Sequence, residues 1–136
     1  MHTISAGLIY HHTAILVKDM QAAADTYSAI FGSASVSQVY AISSQQVSVC
    51  FINTGNGAYI ELVEPFKESN AFDAYFKRGI HYYHVAYKTN NFEQAIEKLA
   101  GAGYKLLTMF NSEAFNNKRC AFLVSGLTHL TEIIEA

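Results

Sequence analysis

The sequence predicts an α+β fold made of two βαβββ modules, and three observations predict it. The first is an internal repeat. His12-Thr-Ala-Ile-Leu-Val-Lys-Asp19-Met-Gln-Ala-Ala is matched by His84-Val-Ala-Tyr-Lys-Thr-Asn-Asn91-Phe-Glu-Gln-Ala at an offset of 72, and Glu61-Leu-Val-Glu64 is echoed by Glu132-Ile-Ile-Glu135 at an offset of 71. One single-residue deletion brings both matches into register, as a duplicated unit requires. The second is that each copy opens on an alternating strand followed directly by a capped amphipathic helix. The third is the run of further strand patterns after each helix. The modules cover about residues 8–65 and 80–136, joined by a connector at 66–79, and together make one domain.

Taken in order, Ile9–Val17 alternates apolar and polar residues in the manner of a strand. Asp19 then caps a helix whose apolar face is Met20, Ala24, Tyr27 and Phe31, ending at Gly32. Val36–Ile42, Val47–Asn53 and Tyr59–Glu64 read as strands, the last two joined by the hairpin turn Thr54-Gly55-Asn56-Gly57. A short helix over Ala71–Phe76 sits in the connector. In the second copy His81–Lys88 is the opening strand. Asn90 with Glu93 forms a capping-box pattern, and Phe92, Ala95, Ile96 and Leu99 mark the buried stripe of a helix stopping near Gly103. Tyr104–Phe110, Arg119–Val124 and Leu130–Glu135 complete the strands.

One helix covers one face of each module's sheet, which leaves the other faces to form a cupped mixed sheet. Side chains alternate across a strand. Ile15 and Val17, and Val85 and Tyr87 in the second copy, therefore pack beneath the helices, while His12 and His84 point the opposite way, into the cup.

Composition narrows the function. Hydrophobic residues make up 51% and charged residues 15%, which excludes a disordered chain. Nine Lys+Arg against eleven Asp+Glu offer neither a nucleic-acid stripe nor a polybasic membrane patch. No apolar run reaches the length of a membrane span, and Met1–Tyr10 lacks the charge and cleavage pattern of a signal peptide, so a cytoplasmic location is expected. Cys50 and Cys120, each in a strand-like apolar context, read as small buried hydrophobes. Most of the aromatic residues read as core, with Tyr40, Phe51, Tyr82, Phe110 and Phe115 able to line a pocket.

The repeat sets two His and two Glu at equivalent places: His12, Glu61, His84 and Glu132. Two imidazoles with two carboxylates are a mixed N/O set suited to a divalent ion such as Zn, Ni, Co or Mn. A carboxylate aimed into a largely apolar cup is costly unless it is paired or bound to a cation. His2, His11, His81 and His129 lack this register and read as structural or exposed, with His11 or His81 able to border the cup. Lys118 and Arg119 read as a solvated strand start.

These residues lie within blocks that resemble the vicinal oxygen chelate superfamily: HHTAILVKDMQAAADTYSAIFG, AYIELVEPF, GIHYYHVAYKTNNFEQAIEKLAGAGYKLL and KRCAFLVSGLTHLTEIIEA. The resemblance runs from about His11 to Glu135 and is strongest to short glyoxalase-like proteins related to methylmalonyl-CoA epimerase. It implies that the modules form a metal-holding cup with His12, Glu61, His84 and Glu132 as ligands. It also implies an isomerase or epimerase that moves a proton on the carbon next to a metal-bound carbonyl, with a small-molecule carbonyl or acyl-CoA thioester as substrate. Glu132 is then the catalytic base and Glu61 its partner across the pseudo-dyad. A homodimer is expected by the same resemblance.

The chain departs from the family pattern at three places. Ser125–Thr131 stands where glyoxalase I carries an acidic turn, Gln45 and Gln46 stand where epimerases carry an acid, and Tyr83 replaces a His. Two alternatives are a glyoxalase I-like lactoylglutathione lyase acting on a thiol hemithioacetal, and a binding protein of the bleomycin-resistance type that holds a small molecule without chemistry.

Overall fold

The computed structural model describes residues 7–136; the reading of His2 lies outside them. The chain falls into two compact units. One is His12–Tyr83, and the other joins the segment ending at His11 to His84–Ala136. Element order is β1 (Ile9–Leu16), α1 (Met20–Phe31), β2 (Tyr40–Ile42), β3 (Val47–Gly55), β4 (Ala58–Pro65), α2 (Asp73–Lys77), β5 (Tyr82–Thr89), α3 (Phe92–Gly101), β6 (Lys105–Ser112), β7 (Lys118–Val124) and β8 (Thr131–Glu135). The α+β class and the two βαβββ modules are as the sequence predicts. No helix among the described residues is long and apolar enough to cross a membrane.

In the first unit the strand order is β2-β3-β4-β1, antiparallel except that β1 and β4 run parallel. Asp19 caps α1 by accepting from the Ala22 N–H, and Gly32 ends the helix at φ 94°, a conformation that favours glycine. Met20, Ala23, Ala24 and Tyr27 pack on Ile15, Val17, Cys50, Ile52 and Leu62, so the helix covers one sheet face as the alternation requires. Phe31, placed on this face by its spacing, is instead 39% exposed, because it lies on the last turn. Asn56 and Gly57 both take positive φ, which gives the tight β3–β4 hairpin the twist its strands need.

The second unit repeats this order as β5-β8-β7-β6, with β5 and β8 parallel. Phe92, Ala95, Ile96 and Leu99 of α3 pack on Tyr87, Ala121, Leu123 and Ile133. Two expectations need correction. The cap of α3 is Asn91, whose side chain accepts from the Gln94 N–H at 3.1 Å; Asn90 lies one residue outside the helix. Glu93 does not close a capping box but pairs with Arg119 at 2.6 Å. In the first unit, only Tyr40–Ile42 of the expected strand Val36–Ile42 is regular. The Ser37 hydroxyl accepts from the Phe51 N–H at 2.9 Å, so a side chain takes a bond that a ladder carbonyl would otherwise accept.

Candidate functional site

β1 positions His12 by simple alternation. His12, Ala14 and Leu16 are buried on one face, with Ile15 and, just past the strand, Val17 turned toward α1. Parallel pairing sets His12 beside Tyr59 and Ala14 beside Glu61, so Glu61 rises on the same face one pleat further along. His12 Nε2 lies 3.1 Å from Glu61 Oε1. His12 has no exposed surface and Glu61 is 6% exposed. Phe51, directly across the β3–β4 pair from Glu61, meets the His12 ring edge-on at 70°, centroids 5.5 Å apart.

The second unit builds the same arrangement. β5 places His84 on the face shared with Ala86, and the β5–β8 register sets Ala86 beside Glu132. His84 Nε2 lies 3.2 Å from Glu132 Oε1, and the two residues are 2% and 4% exposed. Phe122, across the β7–β8 pair from Glu132, meets the His84 ring at 71° and 5.0 Å. The four residues that the sequence repeat singles out thus form two equivalent His–Glu half-sites, one in each unit.

Two observations bear on a metal. A buried carboxylate needs a compensating positive charge. The N···O separations of 3.1 and 3.2 Å are longer than charge-assisted hydrogen bonds of about 2.7–2.9 Å. They match neighbouring ligands of one ion, since ligand bonds of about 2.1 Å put two donors about 3.0 Å apart at a right angle and about 3.4 Å apart in a tetrahedron. His12, Glu61, His84 and Glu132 are accordingly buried groups of ligand type, each offering one atom to an ion, and the residues fit a divalent metal.

Sequence reasoning misses two members of each half-site. Ala14 and Ala86, both with no exposed surface, stand beside the glutamates and leave room for them. Phe51 stands out in the sequence only as a residue able to line a pocket, and Phe122 does not stand out at all. Both pairs carry the repeat offsets of 72 and 71, the signal that identifies them.

The remaining candidates have other partners. The His81 Nδ1–H donates to the Leu16 carbonyl at 2.8 Å, and the half-buried His11 packs edge-on against Phe115 at 5.4 Å. His129 is exposed. Arg119 is committed to Glu93 and Glu135. Gln45 is half-buried, and Gln46 turns left-handed at φ 55° to start β3. Both cysteines are buried, as expected, and burial raises the Cys50 thiol pKa.

Residues 11–122 match the family described as the glyoxalase/bleomycin resistance protein/dioxygenase superfamily. No curated protein matches the sequence. Among solved structures, methylmalonyl-CoA epimerase from Mycobacterium tuberculosis superposes with a TM-score of 0.80 at 22% identity, over 98% of this chain and 93% of that one. A variant of the Streptomyces coelicolor methylmalonyl-CoA epimerase in complex with 2-nitronate-propionyl-CoA gives 0.72 at 21%, over 94% of each chain. A methylmalonyl-CoA epimerase in complex with methylmalonyl-CoA and NH4+ gives 0.73 at 21%, over 95% of this chain and 94% of that one. At these identities the likeness is one of fold.

Proposed function

Because the chain belongs to the glyoxalase/bleomycin resistance protein/dioxygenase superfamily, we propose that it is a metal-dependent isomerase or epimerase acting on the carbon α to a carbonyl. The single observation that carries this reading is the pair of equivalent buried His–Glu half-sites, His12 with Glu61 and His84 with Glu132. In the proposal all four side chains hold one divalent ion. The ion, when bound, supplies positive charge that lowers the cost of negative charge building on the substrate oxygen.

The proton work falls to the chain's own carboxylates. In this reading Glu132, loosened from the ion, takes the α-proton, and Glu61, its partner under the repeat, delivers a proton to the other face of the carbon, as inversion requires. The β2–β3 turn carries Gln45 and Gln46 and no acid, so both transfers rest on these two glutamates. Acyl-CoA thioesters are the substrate class to try first, given the ligands of the epimerases with the same fold.

The test is solvent deuterium exchange. Protein loaded separately with Zn, Ni, Co and Mn is incubated in D2O with methylmalonyl-CoA, and α-deuteration is followed by mass spectrometry. Exchange should require the metal and fall about 10²–10⁴-fold in Glu132→Gln, the usual contribution of a general base. Absence of exchange with every metal-loaded form overturns the assignment.

A further inference from the structure

We propose that Phe51 and Phe122 are positioning residues of the metal centre, which set the planes of the His12 and His84 imidazoles; the inference rests on the metal reading above. Each ring occupies the same place in its unit. It lies directly across an antiparallel pair from the glutamate and edge-on to the histidine, at 5.5 Å and 70° in one case and 5.0 Å and 71° in the other. One phenyl group therefore touches the imidazole of its half-site from the strand position opposite the carboxylate. It blocks rotation of the imidazole about its Cβ–Cγ bond, the motion that would carry Nε2 away from the glutamate.

The repeat separates this role from ordinary core packing. Aligned at the offset of 71, β3 and β7 give seven pairs from Val47/Lys118 to Asn53/Val124, and only Phe51/Phe122 is identical. The same-face neighbours have diverged in size and polarity, Val49 standing against Cys120 and Val47 against Lys118. Identity has been kept where a ring meets a donor. The two phenyl rings are braced in turn: Phe110 stacks on Phe122 at 5.5 Å and 22°, and Tyr59 meets Phe51 at 6.2 Å and 84°.

Cobalt(II) binding tests the assignment without reference to activity. Affinity is measured by calorimetry and donor geometry by the visible absorption bands, on the wild type, Phe51→Leu, Phe122→Leu and the ring-keeping Phe51→Tyr and Phe122→Tyr. Circular dichroism checks that each variant is folded. If a Leu variant fails to fold, Phe→Met, which keeps most of the apolar volume on a flexible chain, takes its place. Val49→Ala is a control for a cavity on the same sheet face away from the donors.

The Leu or Met variants should bind cobalt at least about 10-fold more weakly with altered bands, the usual cost of losing an orienting group around a metal ligand. The Tyr variants and Val49→Ala should stay within about 3-fold of the wild type, well below that cost. Unchanged affinity and bands in Phe51→Leu and Phe122→Leu overturn the positioning role and leave the metal reading standing. An equal loss in Val49→Ala overturns it as well, by showing that any cavity suffices. A wild type that takes up no cobalt or other divalent ion overturns the metal reading, and this inference with it.

Discussion

Outside the half-sites, Arg119 links three elements, β7, α3 and β8. Its guanidinium reaches Glu93 at 2.6 Å and Glu135 at 2.7 Å, and lies over the Phe92 ring at 4.6 Å. One residue of β7 thereby ties α3 to the end of β8. Hydrogen bonds from Arg119 hold both carboxyl groups below the usual range, and the same bonds raise the guanidinium pKa. A depressed carboxyl stabilises the fold above its unfolded pKa and loses that contribution as pH falls through its folded pKa. Urea midpoints measured from about pH 6 down to about pH 2 should therefore fall more steeply for the wild type than for Arg119→Met. Near neutral pH and at physiological salt the difference should be small, since these groups are partly solvated. Parallel curves for the two proteins would show that the network contributes nothing. Glu64, the counterpart of Glu135 in the repeat, acts differently. It accepts the Met20 N–H at 2.9 Å and so satisfies the first turn of α1.

At the level of elements, the two helices begin alike. Asp19 and Asn91, 72 residues apart, each accept from the N–H three residues on. Asn91→Ala should cost about 1 kcal/mol of unfolding free energy in urea titrations, and Asn90→Ala no more than a few tenths, which also separates the observed cap from the one the capping-box pattern suggests. Equal losses would sink the assignment of Asn91.

The slip of one residue has a physical cause. Asn90 and Asn91 have the same intrinsic capping ability, and the choice is made by Thr89, a buried strand residue whose hydroxyl accepts the Asn91 N–H at 3.1 Å. β2 is shorter than its composition suggests for a related reason. Val36–Ile42 has the apolar content of a strand, but Val36 makes only an isolated bridge to Ile52, and its N–H closes the preceding Ser33–Ser35 turn by donating to the Ser33 carbonyl. The long strands β1 and β5 are legible because a period of two sustained over about eight residues is the mark of a half-buried strand and suits no helix.

For the molecule as a whole, duplication is the source of both the architecture and the proposed chemistry. His12, Glu61, His84 and Glu132 stand out because each glutamate and each histidine has a twin at nearly the same offset. A lone Phe or Ala inside a strand has the appearance of ordinary core, so the place of Phe51, Phe122, Ala14 and Ala86 beside the histidines and glutamates comes from the pairing registers, although the repeat offsets already pair them. Equivalent placement predicts equivalent roles in holding the ion. Glu61→Gln and Glu132→Gln should weaken metal binding by comparable factors, whereas proton exchange should suffer more in Glu132→Gln. Removing metal with a chelator should lower the wild-type melting temperature on the order of 10 °C if the ion was present at about 100 times its Kd, equivalent to about 2.7 kcal/mol. Neither Gln variant should show that shift. A wild-type melting temperature indifferent to chelator and to added metal would remove the ion from the account.

The parallel pairing that closes each half-site also governs when it can appear. Ala14 meets Glu61, and Ala86 meets Glu132, across nearly fifty residues of intervening chain. Contacts so distant in sequence raise contact order, and the loop-closure entropy must be met before they form. A helix and two antiparallel strand pairings can assemble locally while the carboxylate is still apart from its histidine. Each histidine therefore waits for the last strand of its own module, and under the proposed metal reading high-affinity uptake is expected late on the folding pathway. The rate at which a refolding chain acquires metal would then follow the docking of strands β4 and β8 rather than collapse of the helices.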